Sequence, residues 1–153
     1  MWFKLLWKWK IPLKFKCFML LAVQNCLKTW DNLKRKGWVG PSYCILYKQS
    51  KESIDHLLTR GEFTLRIWKK ICFILNITEV WEEENFDVCL SNWINSSKYY
   101  HSLPAVISWK IWRVRNICLF ENHLQSSFNI CSNIIQLIEE FSFTPVTFSR
   151  PKL

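Results

Sequence analysis

The sequence predicts an all-α fold: a small helical domain with one irregular loop over residues 38–62 and a C-terminal pair of longer helices. Three observations carry this reading. The chain has 153 residues, half of them apolar, enough for a real hydrophobic core. It holds only three glycines and five prolines, too few turn formers for an all-β sandwich. Apolar residues recur at steps of three and four along most of its length.

Residues 2–10 interleave aromatic or aliphatic residues with lysine, and the alternation from Trp7 to Lys10 predicts a short extended segment. Ile11-Pro12 breaks it, because a residue before proline avoids the helical region. Leu13 to Leu27 reads as an apolar helix. Thr29 then caps a short helix through Leu33, which Gly37 closes after the basic run Lys34-Arg35-Lys36. Trp38 to Lys51 is rich in loop signals. Ser53 caps a short helix through His56 and Leu57, and Phe63 to Leu75 forms an amphipathic helix. Glu82–Asp87 is an acidic connector into a helix near Val88–Ile94. Ser102-Leu103-Pro104 starts a long helix to about His123, with a stripe of Ala105, Ser108, Trp109, Trp112, Asn116, Leu119 and Phe120. Ser126 or Ser127 caps the last helix, whose stripe is Ile130, Ile134, Leu137, Ile138 and Phe141, and Pro145 ends it.

Charge is unevenly placed. Residues 1–36 carry nine Lys or Arg against one acid, Asp31, a net +8 out of the chain's +9. A basic end with interleaved aromatics suits a polyanion. Lys8, Lys10, Lys14, Lys16, Lys34, Arg35 and Lys36 are the candidate phosphate contacts, and Trp7, Trp9 and Trp38 the candidate stacking platforms. Most of the ten tryptophans sit at helix-like apolar positions and are expected in the core. A membrane-surface helix over residues 1–20 is the competing use of Trp and Lys. The apolar run Cys17–Val23 is too short to span a bilayer, and no cleavage site follows it, so no membrane association is expected. Seven widely spaced cysteines, most inside apolar stretches, suggest no disulfide framework. They point to an intracellular protein, nuclear or cytoplasmic, that is not secreted.

Within the irregular loop lie Cys44-Ile-Leu-Tyr47, Glu52-Ser-Ile-Asp-His56-Leu and Gly61-Glu-Phe63. Before it come Lys10-Ile-Pro12-Leu-Lys14 and Leu27-Lys-Thr-Trp30-Asp-Asn-Leu33; after it comes Trp68. Together, over roughly residues 5–75, these resemble the reverse transcriptase zinc-binding domain of plant non-LTR retrotransposons. Further on, Trp109-Lys-Ile-Trp112-Arg-Val-Arg115-Asn116 is similar to the Trp-x-x-Trp-x-x-Arg-Asn element that follows this domain in the same reading frames. The order of the two matches makes the resemblance specific, and on it the loop at 38–62 is a zinc-knuckle-like element.

The resemblance also implies the ligand positions. The family's four ligands fall on Cys44, Tyr47, His56 and Gly61. Only Cys44 and His56 can ligate zinc; Tyr47 cannot replace a thiolate, and Gly61 has no side chain. A structural zinc requires a closed set of four, so the site is read as vestigial and no cofactor is expected.

The expected organisation is a degenerate, N-terminally truncated zinc-binding-like domain at 1–76, an acidic connector with a short helix at 77–103, a C-terminal helical region at 104–145 and a tail at 146–153. No catalytic set is visible. There is no Asp-Asp pair for a polymerase, no P-loop and no Gly-x-Ser-x-Gly, and His101 and His123 have no evident partner. Two functions remain: a non-catalytic module that binds RNA or single-stranded DNA weakly and without sequence preference, or a mobile-element relic or protein-interaction module with no independent activity.

Overall fold

A computed structural model describes residues 2–40, 44–46, 51–83, 85–97 and 99–141, with the backbone alone at Trp2 and Phe3. Among them are seven α-helices and one π-turn, and no strand. The helices are α1 (Trp2–Lys8), α2 (Leu13–Val23), α3 (Trp30–Arg35), α4 (Glu62–Leu75), α5 (Phe86–Ser96), α6 (Leu103–Glu121) and α7 (Ser127–Phe141); the π-turn is His56–Arg60. The all-α expectation holds, and the longest helices are α6 and α7 as predicted. Tyr47, the family's second ligand position, and the predicted stop at Pro145 lie outside the described residues.

The N-terminal segment corrects the sequence reading. Trp2–Lys8 is helical, not extended. Leu6 and Trp9, three apart, enter the core, while Lys4, Trp7 and Lys8 face outward. Over so few residues a helical period and an alternating one share most positions, and burial of Leu6 and Trp9 decides between them. Lys16, on α2, donates from Nζ to the Trp7 carbonyl at 3.1 Å, satisfying an acceptor near the end of α1.

With so few glycines, asparagine stops the helices. Asn25, Asn76 and Asn122 all adopt positive φ. After α2, the Cys26 N–H donates to the Leu21 carbonyl at 2.8 Å and the Asn25 N–H to the Ala22 carbonyl at 3.1 Å. The same pair of bonds closes α4, from Ile77 to Cys72 and from Asn76 to Phe73. This is the Schellman arrangement with Asn at the left-handed position. It ends α2 at Val23, short of the expected Leu27. Gly37 (φ +92°) serves α3 in the same way.

Side chains from every α-helix but the short α3 meet in one buried cluster running from Leu6 to Ile138. α6 lies against α2, α7 and the π-turn, and α7 also packs on α4. The buried stripe of α6 takes in Leu103 to Ser108, Ile111, Val114 and Arg115, and stops there: Phe120, expected on it, is exposed. In α7, Ile130, Ile134 and Ile138 are buried as expected, and the Asn129 N–H donates to Ser126 Oγ at 3.2 Å. Among the described residues four tryptophans, Trp9, Trp68, Trp81 and Trp93, are buried in the core. Trp68 stacks on Trp81 with centroids 4.4 Å apart, and Trp93 meets Trp68 edge-on at 4.9 Å. Trp81 Nε1 donates to the Leu58 carbonyl, anchoring the segment before α5 from inside, and Trp93 Nε1 donates to the Tyr100 carbonyl.

The asparagine stops make a prediction. A β-carbon without a side-chain oxygen is strained at positive φ. Asn76→Ala should lower stability by about 1 kcal/mol in urea unfolding, and Asn76→Gly should not.

Candidate functional site

The site is built around Glu52. Its side chain is completely buried, and Arg115 of α6 meets it with both edges of a fork: Nε to Oε2 at 2.8 Å and Nη2 to Oε1 at 2.5 Å. Arg115 itself is 2% exposed. The Trp30 N–H also donates to Glu52 Oε1 at 2.9 Å, and the Asp31 N–H to the Glu52 carbonyl at 3.3 Å. These are the first amides of α3, which would otherwise lack partners. Glu52 therefore does the work expected of Thr29. The Thr29 carbonyl accepts the first helical bond from Leu33, but its hydroxyl turns to the Asp31 carboxylate instead of capping. Arg115 completes its set with Nη1 to Asn116 Oδ1 at 2.9 Å and Nη2 to the Lys28 carbonyl at 3.3 Å, while its guanidinium lies 4.8 Å from the Trp112 ring.

Four of the motifs singled out in the sequence meet at this network or reach the same helix. Glu52 opens the Glu-x-x-x-His-Leu element, Lys28 and Trp30 belong to the element around Asp31, and Arg115 belongs to the distal Trp-x-x-Trp-x-x-Arg-Asn. The Pro-x-Lys segment reaches the same helix: Phe15 packs on Trp109 at 4.5 Å, and Lys14 Nζ sits 4.9 Å from that ring. Sequence reasoning did not single out Glu52 and Arg115 as partners. The available signal was an arginine at an apolar register position, four residues after Ile111 and seven after Ser108.

Behind Glu52 the chain turns through Ser53, whose Oγ accepts the His56 N–H at 3.1 Å, and enters the π-turn. The Gly61 N–H donates to the His56 carbonyl at 2.8 Å, and Gly61 then caps α4 with φ −61°. His56 and Gly61, two of the family's ligand positions, thus line one open cleft of about 910 Å³. Burial first, and then the nearby Arg60, hold the His56 imidazole below its ordinary pKa, with Glu52 opposing them, so the neutral ring is favoured. Cys44 is fully buried. Among the described residues no group of three or more His, Cys, Asp or Glu side chains is placed to hold a metal ion. Residues 41–43 and 47–50, outside the described set, contain none of these four types. The donors among the described residues do not make up a closed four-ligand site.

The candidate phosphate contacts fall into two groups. Lys8, Lys10 and Lys14 are exposed around the α1–α2 junction, with Lys16 half-buried on the Trp7 carbonyl. Lys34, Arg35 and Lys36 are exposed at the end of α3. The root of α3 is tied to the far end of α2, where Asn32 Nδ2 donates to the Asn25 and Leu27 carbonyls. The start of α2 and the root of α3 are thus separated by the helix, about 16 Å at 1.5 Å per residue. Arg35 is engaged with Asp31 (3.8 Å) and with Asn32. Trp38 (64% exposed) and Trp7 (51%) are open to solvent, whereas Trp9, the third stacking candidate, is buried. His101, without a partner in the sequence reading, meets the Ser97 carbonyl at 2.7 Å. None of the seven cysteines is in a disulfide. No helix among the described residues is long and apolar enough to cross a membrane.

The N-terminal part of this helical chain is similar in sequence to the zinc-binding part of a reverse transcriptase. Residues 1–68 match the family model described as zinc-binding in reverse transcriptase. Neither a curated protein nor a solved structure matches the chain. The matched stretch ends at Trp68, so α5, α6 and α7 lie beyond it, and Arg115 reaches back into it from outside.

Removing one member of the Glu52–Arg115 pair strands a buried charge. Arg115→Met should cost about 3–5 kcal/mol in chemical unfolding, and Glu52→Leu combined with Arg115→Leu should recover much of that loss. Equal losses in the single and double variants would show that the charges are not coupled.

Proposed function

We propose that this chain is a non-catalytic module descended from a plant-type retrotransposon reverse transcriptase, and that it binds RNA or single-stranded DNA through its basic, aromatic N-terminal third. The observation that carries this reading is the exposure of Lys8, Lys10, Lys14 and Lys36 on or just beside α1, α2 and α3, together with the exposed Trp7 and Trp38. Lysines supply a sequence-independent attraction to phosphates, and an exposed indole offers a face to any base. A chain without disulfides suits a reducing, intracellular setting. Supporting the absence of catalysis, the acidic run is solvated where described: Glu82 and Glu83 are both exposed.

Affinity for a labelled single strand should fall steeply with salt, with a log–log slope of about −3 for some four phosphate contacts. Lys8→Gln, Lys10→Gln and Lys36→Gln together should flatten that slope, and Trp38→Ala should weaken binding by about 1–3 kcal/mol at every salt concentration. Absence of retention in a low-salt filter-binding assay defeats the reading.

In this proposal the zinc site is degenerate. Cys44 and His56 remain, and the gaps stand at Tyr47 and Gly61. Two ligands leave half of a tetrahedron to water, and the roughly 10–16 kcal/mol that a full set contributes to folding is lost with it. The φ of Gly61, −61°, is one that any residue adopts, so its backbone does not demand glycine. Purified protein should carry no stoichiometric zinc, whereas a Tyr47→Cys, Gly61→Cys variant should carry about one ion per chain by metal analysis. Zinc in both proteins would contradict the degenerate reading.

A protein-interaction role is the second reading, favoured by one observation. Phe73, Phe120 and Phe128 are each more than three-quarters exposed, and Lys70 Nζ to Ser127 Oγ at 2.8 Å brings the α4 and α7 segments bearing Phe73 and Phe128 side by side.

A further inference from the structure

We propose that the cleft beside the π-turn is a second phosphate-binding track, in which Lys51, Arg60 and Arg66 hold the backbone of a single nucleic-acid strand. The inference rests on the nucleic-acid reading above and adds a site that the N-terminal charge pattern does not contain. All three cations line the same cleft, and all three are exposed. Among the described residues none of them is held in a salt bridge.

The balance of charge in the cleft is what gives the three cations their reach. Three carboxylates also line it: Asp31, Glu52 and Glu62. Glu52 is consumed by Arg115 and the Trp30 N–H. Asp31 is occupied by Thr29, the Asn32 N–H and Arg35. That leaves Glu62, exposed in the first turn of α4, against Lys51, Arg60 and Arg66. The cleft therefore presents net positive charge even though its wall contains as many acids as these cations.

Shape and backbone add to charge. At about 910 Å³ and open to solvent, the cleft suits a chain passing through it better than an enclosed small molecule. Its floor is the start of α4, a fourteen-residue helix whose N-cap is Gly61, with no side-chain cap. Gly61 and Glu62, at the positive end of that helix dipole, both line the cleft, and Gly61 adds no bulk to it. Two arginines are well matched to phosphate, since a guanidinium offers paired donors.

The test compares three proteins for binding of a fluorescein-labelled single-stranded RNA from about 50 to 200 mM salt. The parent is set beside a cleft variant (Lys51→Gln, Arg60→Gln, Arg66→Gln) and an N-terminal variant (Lys8→Gln, Lys10→Gln, Lys36→Gln). Loss of three phosphate contacts should make the cleft variant's log–log slope smaller by about 2 and weaken low-salt binding by about tenfold or more. Glu62→Gln should tighten binding, a gain that misfolding cannot mimic. A cleft variant that is folded by circular dichroism and binds like the parent overturns the proposal, as does an unchanged Glu62→Gln. Displacement of the RNA by millimolar inorganic phosphate at constant ionic strength would reassign the cleft to a small anion and also overturn it. A parent that binds no RNA defeats the broader nucleic-acid reading. A parent that binds through its N-terminal lysines alone defeats only the cleft.

Discussion

A carboxylate with no exposed surface needs a partner, and Glu52 finds one in a buried guanidinium. Arg115 supplies the cation from α6, 63 residues further along the chain, in the paired geometry that a guanidinium favours. Such a pair is a poor source of net stability, since desolvating both ions offsets most of their attraction. Its consequence is placement. With Glu52 at the start of α3 and Arg115 on α6, one register of α6 satisfies both charges, and a rotation of either element leaves two buried ions without partners.

The rest of the site inherits its position from that lock. α3 begins where Glu52 receives its first two amides. The residues after Glu52 lead through Ser53 into the π-turn, which sets His56 and Gly61 on one wall of the cleft. Asp55, one residue before the turn, accepts the Phe86 N–H at 2.8 Å and so fastens the start of α5. Arg60 and Arg66 follow on the turn and on α4. The charges of the cleft are thus held by a neutral, internally satisfied centre, which leaves the outer cations available to solvent.

The long elements were legible because their apolar periodicity outlasts local noise: α4, α6 and α7 were read within a few residues. Short elements were not. Seven residues of α1 fit two periods equally well, and only the burial of Leu6 and Trp9 separates them. The end of α2 was misplaced because asparagine at positive φ is a weaker written signal than glycine, yet it stops three helices here. At the site, Cys44, His56 and the gaps came from resemblance to a family, since a lone cysteine and histidine carry little information. The cleft cations escaped notice because Lys51, Arg60 and Arg66 are scattered through a near-neutral stretch. Their excess appears only after Glu52 and Asp31 are seen to be engaged elsewhere, which is a tertiary fact.

On the proposed reading that zinc binding has lapsed, the fold must obtain its order at this turn from something other than metal. In a small knuckle the ion is the core, and removing it unfolds the domain. Here Leu57 and Leu58 of the π-turn are completely buried, and Trp81 bonds the Leu58 carbonyl while stacking on Trp68. Trp81 lies beyond the matched region, as does Arg115. Two of the contacts that hold the turn and its approach, Trp81 on Leu58 and Arg115 on Glu52, therefore come from the C-terminal half of the chain. On the proposed reading, a turn secured by an ion pair and an indole would not depend on thiolates, and that independence would be the physical condition under which ligand positions such as Tyr47 and Gly61 can change without loss of the fold.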